Sequence, residues 1–91
     1  MKNDELFWQK LRKGDKNAVK EMFQLNVPLL IKYGRRFTDS ETIIDECIVD
    51  VFVDLWKSRQ VSKKGAVKIH LMESLNQAIK AKLQQTHLKR A

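Results

Sequence analysis

Between Ile43 and Trp56 the apolar residues fall at 43, 44, 47, 48, 51, 52, 55 and 56, the spacing of a helix that buries one face. Val49 and Val53 do not belong to that face. At about 100° per residue they lie on the opposite side, near the edge residue Trp56 and bordered by Asp45, Glu46 and Asp50. An apolar strip with an acidic margin, placed where solvent is expected, marks a docking surface for a basic partner.

The remaining segments read as three further helices. Asn3 or Asp4 can cap the first, which runs through Leu6, Phe7, Lys10 and Leu11. Arg12-Lys13-Gly14-Asp15 stops it; Gly14 suits the left-handed residue after a helix end, and Asp15 can cap the next helix. That second helix is predicted from about Lys16 to Phe37, burying Ala18, Val19, Met22, Phe23, Val27, Leu30, Ile31 and Tyr33. Pro28 falls in its middle, and its missing N–H and ring clash predict a kink or local opening near Gln24. Thr38-Asp39-Ser40 forms the turn and cap before the acidic helix. Residues 57–65 lose periodicity and read as a basic loop. A last helix has Val67, Leu71, Met72, Leu75, Ala78, Ile79 and Leu83 on one side and His70, Glu73, Gln77, Lys80 and Gln84 on the other, loosening from Gln85 onward. The expected fold is all-α, a compact bundle of about four helices.

Composition agrees with a folded helical chain. Ninety-one residues bound one small domain, with about 4–86 ordered, near the lower limit for a self-sufficient core. The hydrophobic fraction of 43%, with three Gly and one Pro, argues against disorder. The net charge of +7 is unevenly placed. Asp39 to Trp56 holds six carboxylates and no Lys or Arg, whereas Val61 to Ala91 holds seven Lys or Arg and one acid, Glu73. A basic C-terminal end favours a polyanion, most often nucleic acid, and competes on even terms with a plain solvated lysine-rich surface. One cysteine excludes an internal disulfide, and Cys47 on the apolar face reads as a small buried hydrophobe. No apolar run resembles a signal peptide or a membrane span, so a cytoplasmic protein with no membrane partner is expected.

Catalytic chemistry is not indicated. His70 and His87 form no metal pattern with Cys47 or with a second histidine at i+4, and no glycine-rich phosphate loop occurs. Asp45, Glu46 and Asp50 would need a pocket to shift their pKa values before serving as acid or base, and so small a chain has little room for one. A non-enzyme without cofactor or metal is expected.

In order along the chain stand the Gly14-Asp15 turn within residues 11–23, Pro28 ahead of Arg35-Arg36-Phe37, and an acidic helix ending Phe52-x-x-x-Trp56. This succession, over roughly residues 4–86, resembles region 2 of the extracytoplasmic-function sigma factors of bacterial RNA polymerase. The resemblance implies that the acidic helix docks on the clamp helices of the polymerase's largest subunit. Asp45, Glu46, Val49, Asp50, Val53 and Trp56 would form or support that contact, with Phe52 in the core. It also implies that the loop and last helix open the promoter −10 element and hold its single strand. Lys57, Arg59, Lys63, Lys64 and Lys68 would meet phosphates, while His70, Gln77 and Lys80 would face DNA from the helix.

Several positions depart from the family. Val49 stands where the acidic helix usually carries Gln, His70 where the last helix usually opens with an aromatic, and Asn76-Gln77 where Arg-Asn is usual. No Trp, Tyr or Phe follows Trp56. The family's second domain, a helix-turn-helix that reads the −35 element, has no counterpart in these residues, so the chain is expected to be an excised domain or a shortened relative that does not direct initiation alone. The alternative is a helical interaction module that keeps polymerase binding, or binding to an anti-sigma factor, without melting DNA.

Overall fold

A computed structural model describes the backbone of residues 2–90 and the side chains of residues 3–85. It contains four helices, α1 (Lys2–Arg12), α2 (Lys16–Gly34), α3 (Glu41–Lys57) and α4 (Val67–Arg90), and no strand among the described residues. The joints follow from local chemistry. After α1, the Asp15 N–H reaches the Lys10 carbonyl and the Gly14 N–H the Leu11 carbonyl, each at 3.0 Å. This paired closure needs a left-handed residue, supplied by Gly14 at φ +81°. Asp15 then caps α2 by accepting the Ala18 N–H at 3.2 Å, and Ser40 caps α3 by accepting the Ile43 N–H at 3.2 Å.

Some boundaries differ from the sequence expectation. Asn3 and Asp4 lie inside the first turn of α1 rather than ahead of it. The second helix stops at Gly34 instead of Phe37. There the chain tightens into three-residue turns, with the Phe37 N–H on the Gly34 carbonyl at 3.0 Å, and Phe37 packs edge-on against Tyr33. Pro28 sits inside α2 without dividing it. Pro28 and Gln24 are both exposed residues, and the helix continues unbroken through them. α4 runs past Gln85 to Arg90; Ala91 and the side chains from Thr86 onward lie outside the described residues.

The core lies where α2, α3 and α4 meet, with α1 packed against α2. From α3 it receives Ile44, Cys47, Ile48, Val51, Phe52 and Leu55, all buried, while Ile43 and Trp56 flank it half-buried. α4 contributes Val67, Leu71, Leu75 and Ile79, and α1 contributes Phe7, Trp8 and Leu11. Each large apolar side chain so placed contributes roughly 1.5–3 kcal/mol relative to an exposed one. α2 is the least regular contributor. Its fully buried positions are Ala18, Asn26, Leu30 and Gly34, and the other expected apolar residues are half-buried. Asn26 is half-satisfied: its Nδ2 donates to the Met22 carbonyl and to Met22 Sδ, each at 2.9 Å, one turn back on its own helix, while its buried Oδ1 has no hydrogen-bond partner.

Candidate functional site

The outer face of α3 carries the strip expected from its periodicity. Val49 is 52% exposed and Val53 42%, one helical turn apart, while Ile48 and Phe52 beside them in sequence are buried. Asp45 flanks the strip on one side and Glu46 and Asp50 on the other, all three exposed. The latter margin is shared with another helix: Lys82 of α4 reaches across to Glu46 Oε2 at 3.1 Å, and Asp45, Glu46, Val49, Asp50 and Lys82 line a shallow depression of about 450 Å³. The ammonium of Lys82 is held above its ordinary range by its hydrogen bond and attraction to Glu46, with Asp50 adding to the effect. A basic ligand approaching this margin therefore meets carboxylates that already have an internal, solvent-screened cation beside them. Trp56 closes the far end of the strip, half-buried, with the Arg59 guanidinium 4.3 Å above its ring.

Beyond α3 the basic loop is folded back on the helix end. Arg59 Nη1 donates to the Trp56 carbonyl at 3.0 Å, and Lys63 Nζ donates to the Ser58 carbonyl at 2.6 Å and to that of Val61 at 3.3 Å. These cations satisfy carbonyls at the negative end of the α3 dipole. Burial pulls the Lys63 ammonium pKa down. Of the cations expected to meet a strand, Lys57, Lys64, Lys68 and Lys80 are exposed, whereas Arg59 and Lys63 hold intramolecular partners.

The structure gathers only part of the expected α4 set. His70 and Gln77 line one cleft of about 430 Å³ with Lys63, Asp54, Ser58 and Ser74. Lys68 stands about half a helical turn of azimuth away from Gln77, so the α4 residues do not share a single face. His70 is half-buried and sits edge-on to Trp8, with ring centroids 5.4 Å apart at 83°. Sequence periodicity placed it on the solvent side, but its flank of α4 turns toward α1.

Burial lowers the His70 pKa from its ordinary 6.5, reinforced by Lys63 and opposed by Glu73. The fold therefore favours neutral imidazole. This contribution to stability is complete above the unfolded pKa of 6.5 and is lost as pH falls below that value toward the lower folded one. Wild type should thus lose more thermal stability than His70→Phe when the pH is taken from about 7 to about 5. Equal losses in calorimetry of the two proteins would show that His70 is not the group responsible.

Burial likewise pushes the Cys47 thiol up, as fits a core residue rather than a nucleophile. Among the described residues no three His, Cys, Asp or Glu side chains gather so as to hold a metal ion, and no helix is long and apolar enough to cross a membrane. Lys82 and Trp8 were not among the expected site residues. The phase of α4 puts Lys82 on a flank of its buried stripe, but only the pairing of α3 with α4 shows which carboxylate it meets.

The fold and the outer α3 face define a small all-α domain with an exposed acidic and apolar helix surface. No family model matches the chain, and neither a curated protein nor a solved structure does.

Proposed function

We propose that this chain is a sigma-factor region 2-like domain that docks on the clamp helices of the largest RNA polymerase subunit through the outer face of α3 and takes single-stranded −10 promoter DNA along the 58–66 loop and α4. The observation that carries the reading is the exposure of Val49 and Val53 between carboxylates on a helix whose other apolar residues are core. Core packing accounts for Ile44, Ile48 and Leu55; it gives no reason for two valines on the far side. In this reading the protein is a cytoplasmic transcription factor domain, acts without cofactor and is not an enzyme.

A second reading, an interaction module that binds polymerase or an anti-sigma factor without melting DNA, is favoured by one group of contacts. Arg59 and Lys63 are engaged with the end of α3, and His70 leans on Trp8 rather than standing free as a stacking platform.

Co-purification with core polymerase tests the docking face. Wild type should bind, and Asp50→Lys with Val53→Glu should weaken binding by about 100-fold or more, because it puts a charge in the apolar strip and reverses its margin. Both positions are exposed, so the fold should survive the change. Unchanged binding by the double variant, or none by wild type, would remove the proposal.

A further inference from the structure

The turn between α1 and α2 lies next to the loop between α3 and α4, although the two are more than forty residues apart in the chain. Two contacts fix this. The Trp8 indole N–H donates to the Gly65 carbonyl at 2.9 Å, and a Cβ placed on Gly14 would come within 3.9 Å of the Trp56 ring. Between α1 and the loop is a cleft of about 380 Å³ whose walls include Arg12, Ser62, Lys63 and Lys64. Lys63 also walls the cleft of about 430 Å³ that holds His70 and Gln77. Lys63 is thus common to the linings of both depressions. Lys63 uses two donors on backbone carbonyls, and an ammonium has three.

Arg12 is exposed at the end of α1 and walls the first cleft; Lys13, exposed next to it in the turn, lines neither cleft but adds its charge beside Arg12 to that of Lys57, Arg59, Lys63 and Lys64 at this end of the molecule. The opposing acids are Glu5 on the rim of the first cleft and Asp54 in the second; Asp15 in the turn is occupied as the α2 cap. Arg12, Lys63 and Lys64 in the walls of these clefts, with Ser62 and Gln77 as neutral hydrogen-bonding groups, suit the phosphates of a strand. A membrane surface would be met better by a convex basic face than by clefts.

We propose that the α1–α2 turn and the 58–66 loop form one phosphate-tracking surface, in which Arg12 and Lys13 extend the path of a single-stranded nucleic acid beyond the loop and α4. The proposal rests on the strand-binding half of the reading above and adds a segment that reading does not include. Both residues are exposed and the closest tertiary contacts of the joint belong to Trp8 and Gly14, so removing the two charges leaves the fold in place.

The experiment is fluorescence anisotropy of a labelled mixed-sequence single-stranded DNA oligonucleotide at salt concentrations between about 50 and about 200 mM. Wild type should bind with a falling log K against log salt. Arg12→Gln with Lys13→Gln should flatten that slope by about 1.4, close to 0.7 for each phosphate no longer neutralised. Lys20→Gln with Lys32→Gln removes the same charge from exposed positions of α2 that line neither cleft, and should leave the slope as in wild type. A wild-type slope in the Arg12 and Lys13 variant, or an equal flattening in the α2 control, overturns the inference and leaves the loop-and-α4 reading intact. Absence of any strand binding by wild type, including the case in which it binds phosphatidylserine vesicles instead, overturns both. Strand binding with the expected slopes but no polymerase binding sustains the inference and removes the docking reading alone.

Discussion

Replacing Trp8 with Ala should lower folding stability by about 3–5 kcal/mol, the range for emptying a buried aromatic site. In a domain of this size that corresponds to a fall in Tm of about 15–30 °C. Trp8 is only 4% exposed and performs three tasks. Its ring packs on Phe7, with centroids 5.4 Å apart, and receives the edge of His70 at the same separation. Its indole N–H donates to the Gly65 carbonyl at 2.9 Å, the one side-chain hydrogen bond that ties α1 to the loop before α4 among those seen in the described residues. Gly65 has a left-handed φ of +90°, so the loop enters α4 through a conformation that the bond from Trp8 helps to hold.

Trp8→Phe separates these contributions. It keeps most of the apolar body and leaves the Gly65 carbonyl without its donor, so about 1 kcal/mol should be lost. If Trp8→Ala melts within a few degrees of wild type, the loop is held by something other than this residue. Trp8 lines the cleft beside Lys63 and Lys64 but brings no charge to it, so the Phe variant should move strand affinity less than it moves stability.

Gly34→Leu should be the second severe change, costing about 3 kcal/mol or more, at or beyond the upper end for overpacking a core. Gly34 is buried at the end of α2, and a Cβ there would lie 3.1 and 3.2 Å from Ile44 Cγ2 and Cγ1 and 3.4 Å from Ile79 Cδ1. Ile44 is 1% exposed and Ile79 is 0% exposed, so neither has free space into which to withdraw. The glycine is thus the point at which the backbone of α2 approaches α3 and α4. Gly34→Ala should be milder, since about 1 kcal/mol of helix propensity offsets part of the crowding. Urea titration should show the Leu variant with a lower midpoint and an unchanged m value. A midpoint equal to that of wild type would mean that the three helices can separate locally without loss.

Much of the secondary structure was legible because its signals are local. The 3.6-residue period of Ile43 to Trp56 placed α3 and its two outward valines, and the Gly14-Asp15 pair and Ser40 marked their joints through short-range hydrogen bonds. α2 was harder. Its apolar residues are spread around the helix, and Asn26 is buried at a position no apolar pattern indicates, with its Nδ2 bonded one turn back on the same helix and its Oδ1 left without a partner. Among the candidate strand-binding residues, exposure of Lys64 and Lys80 agrees with their placement on loop and outer helix face, while Lys57, also exposed, closes α3 rather than opening the loop. The inward engagement of Arg59, Lys63 and His70 was not legible, because each depends on a neighbour brought near by folding or by a turn of the loop.

The sequence by itself determined that the chain would be helical, how α3 would be phased, and that its outer face would combine valines with carboxylates. Those properties follow from the angle between successive residues and from caps a few residues away. Only the tertiary structure decided that Lys82 stands beside Glu46, that Gly34 lies at the meeting of three helices, and that the α1–α2 turn joins the α3–α4 loop. Residue spacing sets the direction of a side chain on its own helix. The group it meets is set by how the helices cross, and that crossing is a property of the packed core as a whole.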